Sequence, residues 1–185
     1  MHWTVKLKLL RACPDAVEWA RAYPSFAAAW RACERGDWML WLLGKQAGLP
    51  ESAARRKLVL AACACARLAL PYAAKGEQRP RVAIETAEAW ARWRKDVTLQ
   101  DVRVAADAAY DAAYAAADAA YAAAAAAYAY AAAYAYAAAA AHAAAAADAD
   151  AATHSKVLKR CAAIVRRSYT RPQIAGPEPR KEERK

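Results

Sequence analysis

The sequence predicts an all-α protein, and three observations lead to that class. The 185 residues include only five glycines and eight prolines. No stretch repeats the alternation of apolar and polar residues that predicts the strands of a sheet. The segment from Ala105 to Ala152 has 35 alanines among its 48 residues and contains neither Gly nor Pro. Because alanine has the highest helix propensity, we expect a multi-helix bundle with a long alanine-rich helical segment.

The first three predicted helices are short, and proline or polar residues separate them. The first covers residues 4–12, and the second begins at Pro14, where the first turn of a helix tolerates proline, and ends near Tyr23. Ser25 is predicted to cap a third helix over Phe26–Arg35.

The fourth and fifth helices are apolar on almost every side, which is typical of central helices. Gly36 is predicted to end the third helix, and Asp37 to cap a fourth helix over Trp38–Ala47. Ser52 is predicted to cap the fifth helix, which extends to Leu70.

Two groups of basic residues on the fifth helix bear on function. Residues 55–57 make its first turn basic, which the helix dipole disfavours, and the free amides of that turn also attract anions. Arg67 is the only charge further along the helix, and a buried guanidinium must be paired. Arg67 therefore forms either a structural ion pair with Glu85 or Glu88, or part of a pocket for an anionic ligand.

The sixth helix is predicted from Pro80 to about Lys95, after a linker that begins at Pro71. Acidic and basic residues form two i, i+4 pairs on one of its faces, Arg81–Glu85 and Glu88–Arg92, which predicts a salt-bridged stripe in solvent. The members of that stripe are Arg81, Glu85, Glu88 and Arg92.

The alanine-rich segment carries its other side chains on a narrow stripe over its first turns. Thr98 and Asp101 resemble a capping box that begins this helix. Between Asp107 and Tyr128 the aspartates and tyrosines lie within an arc of about 100°. A straight helix over Ala105–Ala152 would be about 72 Å long, whereas a domain of this size is about 40 Å across. We therefore expect the segment to be broken into two or more helices.

A basic last helix is predicted over about residues 156–169, with Asp150, Thr153 and Ser155 as candidate caps. The proline and charge content beyond it predicts a flexible charged tail over residues 170–185. We expect one helical domain over residues 1–169, which consists of tryptophan-rich helices (1–97), alanine-rich helices (98–152) and the last helix (153–169).

Charge and cysteine content limit the partners and the compartment. The net charge of +10 favours anionic partners such as nucleotides, nucleic acid or acidic proteins. Five cysteines without a CxxC motif indicate reduced, buried thiols, not a disulfide framework or a zinc site. The first residues show no signal peptide. The stretch from Ala119 to Ala147 is uncharged but lacks Leu, Ile, Val and Phe, so we expect no membrane helix.

No catalytic motif is present, so we expect a protein that is not an enzyme. No serine lies in a Gly-x-Ser-x-Gly turn, and each histidine stands alone. Asp107 and Asp111, like Asp150 and His154, have the i, i+4 spacing that can share a metal. A solvated stripe is the favoured interpretation of these residues, so neither a metal nor another cofactor is expected.

Binding is better supported, because seven Trp and ten Tyr occur in a basic chain. Indole and phenol rings stack on bases, and guanidinium groups bind phosphate. We expect a pocket between the fifth and sixth helices and the start of the alanine-rich segment. Its predicted ligand-binding residues are three arginines for phosphate and three aromatic residues for a base: Arg56, Arg67, Arg81, Trp90, Tyr110 and Tyr114.

Four segments resemble a family of phage and bacterial proteins that carries the label of immunity protein. They are residues 37–42 (DWMLWL), 58–67 (LVLAACACAR), 79–91 (RPRVAIETAEAWA) and 161–167 (CAAIVRR), with an Ala/Tyr-rich run before the last one. The resemblance covers about residues 4–169. It implies toxin neutralisation, and the occurrence of the family on phages implies counter-defence by sequestering a nucleotide immune signal.

The leading functional hypothesis is therefore a non-catalytic protein of biological conflict that sequesters an anionic, nucleotide-like ligand in the cytoplasm of a bacterial host. An immunity protein that blocks a toxin by protein contact is the first alternative. The third hypothesis is nucleic-acid binding through the basic last helix. The fourth is a metal-dependent hydrolase on the aspartate stripe. A homo-oligomer formed through the alanine-rich helices is a further expectation.

Overall fold

The computed structural model of the chain describes residues 2–49, 51–72, 75–115, 151–170 and 172–174. Within the described helices, the side chains of residues 69, 72, 109–115 and 151–154 lie outside this description. All regular secondary structure in the described residues is helical, and they contain no strand. The predicted all-α multi-helix class is therefore confirmed. The predicted break in the alanine-rich segment, and residues 116–150 as a whole, lie outside the described residues.

The contacts between described residues divide the chain into two compact units. The first unit contains the residues up to Cys33 together with those from Tyr169 onward, and the second contains Glu34–Ser168. The single domain over residues 1–169 stays a prediction.

The first unit contains three short helices, α1 (Val5–Leu9), α2 (Pro14–Arg21) and α3 (Phe26–Ala32). Pro14 occupies the first turn of α2, as predicted. The predicted cap of α3 is confirmed, because the Ser25 hydroxyl accepts a hydrogen bond from the Ala28 N–H at 3.2 Å. Ile174 is buried, and its carbonyl accepts a hydrogen bond from Lys6 Nζ at 3.3 Å. Ile174, which belongs to the predicted tail, therefore packs within the first unit.

The second unit is built around α5, which contacts three other helices and is buried along most of its length. Large side chains from four helices are almost completely inaccessible in this core: Met39, Leu40, Leu58, Val59, Ile84 and Val165. Its elements are α4 (Gly36–Gln46), α5 (Ala53–Ala66), a 3₁₀ turn (Arg67–Tyr72), α6 (Arg79–Ala91), α7 (Leu99–Ala115) and α8 (Ala151–Ser168).

Gly36 does not end the third helix, and the prediction that Asp37 caps the fourth is also wrong. The chain is already extended at Cys33, and α4 begins at Gly36 itself. A Cβ atom at Gly36 would lie 2.4 Å from the Cβ of Cys161 and 2.7 Å from the backbone nitrogen of Ala162. The glycine therefore allows α4 and α8 to approach closely. Asp37 is buried in the first turn and accepts a hydrogen bond from Arg35 Nε at 2.9 Å.

The predicted end of α5 at Leu70 is also wrong, because α5 ends at Ala66 and a 3₁₀ turn follows. Pro71 explains the change, since a proline ring collides with the carbonyl four residues before it in an α-helix. The predicted cap at the other end of α5 is confirmed: the Ser52 hydroxyl accepts a hydrogen bond from the Arg55 N–H at 3.1 Å.

The start of α7 has the predicted capping box. The Thr98 hydroxyl accepts a hydrogen bond from the Asp101 N–H at 3.2 Å, and the Asp101 carboxylate accepts one from the Thr98 N–H at 2.7 Å. Helix α8 begins earlier than predicted, at Ala151, so Thr153 and Ser155 lie inside it and do not cap it. Asp150, the third candidate cap, lies outside the described residues.

All five cysteines are free, and four are buried. The prediction of buried thiols therefore holds except for Cys13, which is exposed. None of the helices in the described part of the chain combines the length and the apolar character needed to cross a membrane.

Candidate ligand-binding site

The guanidinium group of Arg56, in the first turns of α5, packs against two indole rings at the end of α6. Its Cζ atom is 4.0 Å from the centroid of the Trp90 ring and 3.7 Å from that of the Trp93 ring. Its Nη1 also donates a hydrogen bond to the carbonyl oxygen of Trp90. We call Arg56, Trp90 and Trp93 the Arg56 stack. The stack joins α5 to the negative end of the α6 dipole, where a cation is favourable.

The two indole rings of the stack differ in exposure. Trp90 retains 3% of its accessible surface and belongs to the core, whereas Trp93 retains 60%. Trp93 therefore covers Arg56 while most of its own ring surface stays in contact with solvent.

The backbone at Trp93 is in the left-handed conformation, with φ at 62°. Helix α6 therefore ends at Ala91, and the predicted continuation to Lys95 is wrong. The Trp93 N–H donates to the Trp90 carbonyl at 3.0 Å, and the Arg94 N–H donates to the Ala89 carbonyl at 3.1 Å. These two bonds form a Schellman motif, in which the left-handed position is usually glycine.

A tryptophan in the left-handed region is uncommon, since the conformation costs about 1–2 kcal/mol for a residue with a Cβ atom. The contact with Arg56 offsets part of this cost, because a cation over an indole face contributes about 0.5–2 kcal/mol. Trp93 is therefore held in a strained conformation by a specific partner, and such strain is often found at functional positions.

Arg55 and Arg56 both have guanidinium nitrogens without a hydrogen-bond partner among the described residues. Arg55 Nη2 donates to the Gly48 carbonyl at 2.8 Å. Arg55 Nε, Arg55 Nη1 and Arg56 Nε are inaccessible to solvent and have no hydrogen-bond partner among the described residues. Each buried donor without a partner costs about 1–3 kcal/mol, and such groups in folded proteins call for a specific explanation. The first turns of α5 therefore contain three guanidinium nitrogens whose hydrogen-bonding capacity is unused among the described residues.

The charge of Arg56 is balanced differently from that of Arg67. Burial lowers the pKa of Arg56, and the more distant charge of Glu51 opposes this effect. The pKa of Arg67 is raised, first by its hydrogen bonds to Glu88. The two bonds run from Arg67 Nε to Oε1 at 2.9 Å and from Nη2 to Oε2 at 3.1 Å. Of the two alternatives given for Arg67, the structure therefore has the ion pair, and the partner is Glu88.

The six predicted site residues do not all lie together. Arg56 and Trp90 are in contact, while Arg67 is engaged with Glu88. Arg81 is exposed in the first turn of α6, and it lies nine positions before Trp90, which corresponds to about 14 Å along the helix. Tyr110 and Tyr114 belong to α7, and their side chains lie outside the described residues.

Helices α6 and α7 are in contact through a buried cluster that contains Ala83 of α6 and Ala106 of α7.

Sequence reasoning missed Arg55 and Trp93 as members of this site. The basic first turn of α5 was a usable signal for Arg55, since it conflicts with the helix dipole. Nothing in the sequence indicates that Trp93 ends α6 in a left-handed conformation. Within the described residues no group of three or more His, Cys, Asp or Glu side chains is placed to hold a metal ion, and the side chains of Asp111, Asp150 and His154 lie outside them.

The chain matches no protein-family model, no curated protein and no solved structure. The resemblance to the phage and bacterial family therefore depends only on the four segments quoted above.

Proposed function

We propose that this chain is a non-catalytic binding protein that sequesters an anionic ligand of nucleotide type at the Arg56 stack. One observation carries the proposal: the guanidinium group of Arg56, which has a buried nitrogen unpaired among the described residues, packs against an exposed, strained tryptophan, and the preceding residue Arg55 has two more such nitrogens. The donors and the ring would bind different parts of one ligand.

Charge and hydrogen bonding support a phosphate group as the part of the ligand that binds the arginines. Guanidinium groups donate several hydrogen bonds in one plane, which suits the oxygens of a phosphate. Arg56 packs against two indole rings and donates from Nη1 to a carbonyl, and no described carboxylate is bonded to it. A phosphate would supply the negative charge that Glu88 supplies to Arg67.

The exposed ring of Trp93 supports an aromatic base as the second part of the ligand. A tryptophan that is 60% exposed offers ring surface on which a base can stack. Base–aromatic stacking contributes about 1–3 kcal/mol per base, which is comparable to the backbone cost of holding Trp93 in place. A small inorganic anion would use the arginines alone and would leave the strained position of Trp93 without a function.

Sequestration without cleavage is the form that we propose. The side chains that make up the Arg56 stack and its neighbour Arg55 are hydrogen-bond donors and aromatic faces. None of them is a nucleophile or a general base at neutral pH, because arginine stays protonated. In the setting of biological conflict, the ligand would be a nucleotide signal in the cytoplasm of a bacterial host, withdrawn from its receptor.

A second candidate, toxin neutralisation by protein contact, is favoured by a different observation. Val82, Trp93 and Val104, on or next to α6 and α7, are exposed by 50–60%. Tryptophan and arginine are also the residue types that dominate binding energy at protein interfaces. A toxin surface could therefore bind one or more of these exposed residues, Trp93 among them.

The experiment is a thermal-shift and fluorescence titration of the full chain against ligands that differ in one part. Adenosine monophosphate, adenosine triphosphate and a cyclic dinucleotide carry both base and phosphate. Adenosine and ribose 5-phosphate serve as matched controls that lack one of them. We expect nucleotides to raise the melting temperature and quench tryptophan fluorescence, since binding to the native state stabilises it by about 2.7 kcal/mol at 100 times Kd.

The outcome that overturns the proposal is the absence of any shift with all nucleotides at millimolar concentration. Ligand recovered after denaturing the complex is then analysed by mass spectrometry. Recovery of the intact nucleotide supports the hypothesis of sequestration. Recovery of a cleaved nucleotide supports the hypothesis of a hydrolase instead.

A further inference from the structure

Helix α8 carries a straight column of basic residues that the Arg56 stack does not use. At 100° per residue, Lys156, Arg160 and Arg167 lie within an arc of about 40°. All three are exposed, and they span about 17 Å along the helix axis. We call these three residues the α8 column.

The opposite side of α8 belongs to the core of the second unit. It consists of apolar residues that retain at most 5% of their accessible surface: Val157, Leu158, Cys161, Ala162 and Val165. The helix contains no acidic residue in its 18 positions. The column is therefore fixed in direction by packing, and α8 itself supplies no negative charge to balance it.

The column residues also have no ion-pair partner elsewhere in the described part of the chain. Lys159, which lies beside them, is paired with Glu34 at 2.9 Å. No comparable pair forms between Lys156, Arg160 or Arg167 and a described carboxylate. Their charges are thus available to an external anionic surface.

The chemistry of the exposed face distinguishes between three kinds of partner. Protein interfaces need buried aromatic or apolar anchors at their centre, and α8 has no exposed large hydrophobic residue. An interfacial membrane helix inserts its apolar face, but the apolar face of α8 is already buried in the core. A regular row of cations without apolar anchors is instead suited to a phosphate backbone, and duplex DNA carries one charge per about 1.7 Å of its axis.

We infer that the α8 column is a surface that binds the sugar–phosphate backbone of nucleic acid without sequence specificity. This inference does not depend on the nucleotide site at the Arg56 stack. It concerns a different helix, and it needs no aromatic stacking.

The test measures binding of the full chain to a fluorescent 20-base-pair DNA duplex by anisotropy at several salt concentrations. Neutralising about three phosphates predicts that the logarithm of the association constant falls with the logarithm of salt concentration with a slope of about −3. A second duplex of unrelated sequence should bind with the same affinity within about twofold. A slope near zero, or no binding at low salt, would overturn the inference.

The decisive comparison uses two triple variants with the same net charge. The first carries Lys156→Ala, Arg160→Ala and Arg167→Ala. The control carries Lys8→Ala, Arg31→Ala and Lys75→Ala, which removes three exposed cations from other parts of the chain. We expect the first variant to lose at least tenfold in affinity at low salt and most of the salt dependence, while the control keeps both within about threefold.

Equal losses in both variants would show that net charge alone attracts DNA, and would overturn the assignment to α8. Circular dichroism checks that both variants keep their helices, as is expected for exposed positions. Anionic phospholipid vesicles serve as the competing partner, and binding them more tightly than DNA through the same column would also overturn the inference. The nucleotide-induced thermal shift should be unchanged in the first variant, so the two proposals can fail separately.

Discussion

The guanidinium group of Arg67 and the carboxylate of Glu88 form two parallel hydrogen bonds, at 2.9 Å and 3.1 Å, that connect the end of α5 to α6. Arg92 Nη1 donates a third bond to the same carboxylate, at 3.0 Å. Glu88 retains 13% of its side-chain exposure, so its charge is paired twice in a largely buried position.

This arrangement predicts how stability depends on pH. Burial alone would raise the pKa of Glu88, but the hydrogen bonds from Arg67 and Arg92 outweigh it, so the pKa is lowered from 4.5. A carboxyl group with a depressed folded-state pKa stabilises the protein above its unfolded value, and this contribution is lost as pH falls. We expect the urea midpoint to fall below about pH 4.5, and Glu88→Gln to flatten that fall. Glu18→Gln, at an exposed pair, is the control, and identical pH profiles for the two variants would contradict the prediction.

Substitutions of Arg56 separate its charge from its stacking. Arg56→Ala removes the contacts with both indoles and the hydrogen bond to the Trp90 carbonyl, and should destabilise the second unit by about 2–3 kcal/mol. Arg56→Lys keeps the charge but loses the planar group, so an intermediate loss is expected. The measurement is urea unfolding followed by tryptophan fluorescence. Equal stability of the lysine variant and the parent chain would show that stacking contributes nothing.

Substitutions of Trp93 separate backbone strain from ligand binding. Trp93→Gly removes the ring and relieves the left-handed strain, whereas Trp93→Ala removes the ring and keeps the strain. We expect the glycine variant to be more stable than the alanine variant by about 1 kcal/mol. Both should bind nucleotides at least tenfold more weakly in the fluorescence and thermal-shift titrations. An alanine variant as stable as the glycine variant would refute the strain, and undiminished binding would refute the role of the ring.

Gly36→Ala tests the close approach of α4 and α8. The added Cβ would lie under 3 Å from the Cβ and carbonyl carbon of Cys161 and from the nitrogen of Ala162. Two of these atoms are backbone, so the helices themselves must separate, and a loss of about 1–3 kcal/mol is expected. Calorimetry measures this loss. Cys161→Gly in the same chain should restore only part of it, and full restoration would mean that the backbone contacts are unimportant.

Thiol reactivity should distinguish one cysteine from the other four. Burial raises the pKa of Cys63 to about 12. The pKa of Cys65 is raised by its hydrogen bond with Cys161 and by burial. Because the thiolate is the reactive form, we expect only the exposed Cys13 to react with a thiol reagent at pH 8 in the native protein. Five thiols should react in denaturant, and fast reaction of more than one in the folded chain would contradict the burial of the others.

The features that the sequence predicts well are those that depend on neighbouring residues. Ser25, Ser52 and the Thr98–Asp101 pair cap helices through contacts within three positions along the chain. The partner of Arg67 was predicted in part, since Glu85 and Glu88 were the two candidates and Glu88 is the one that it contacts, although the Arg67 side chain is 37% exposed and not buried as expected. The all-α class follows from the same local reasoning.

The features that were missed depend on distant residues. In the sequence alone, Gly36 has the features of a helix terminator. Its role in the structure depends on Cys161, which lies 125 positions away and packs against it. The left-handed turn at Trp93 depends on Arg56, which a local pattern cannot reveal. The candidate site could therefore be predicted only in part, as Arg56 and Trp90, whereas Arg55 and Trp93 required the packing of α5 against α6.

The contact between Gly36 and Cys161 also has a consequence for folding. It joins α4 to α8 across 125 positions of the sequence. Contacts between residues that are so distant along the chain form slowly, because the entropy of bringing them together must be lost before the contact stabilises the fold. The docking of α8 on α4 is therefore expected to be slower than the formation of the individual helices.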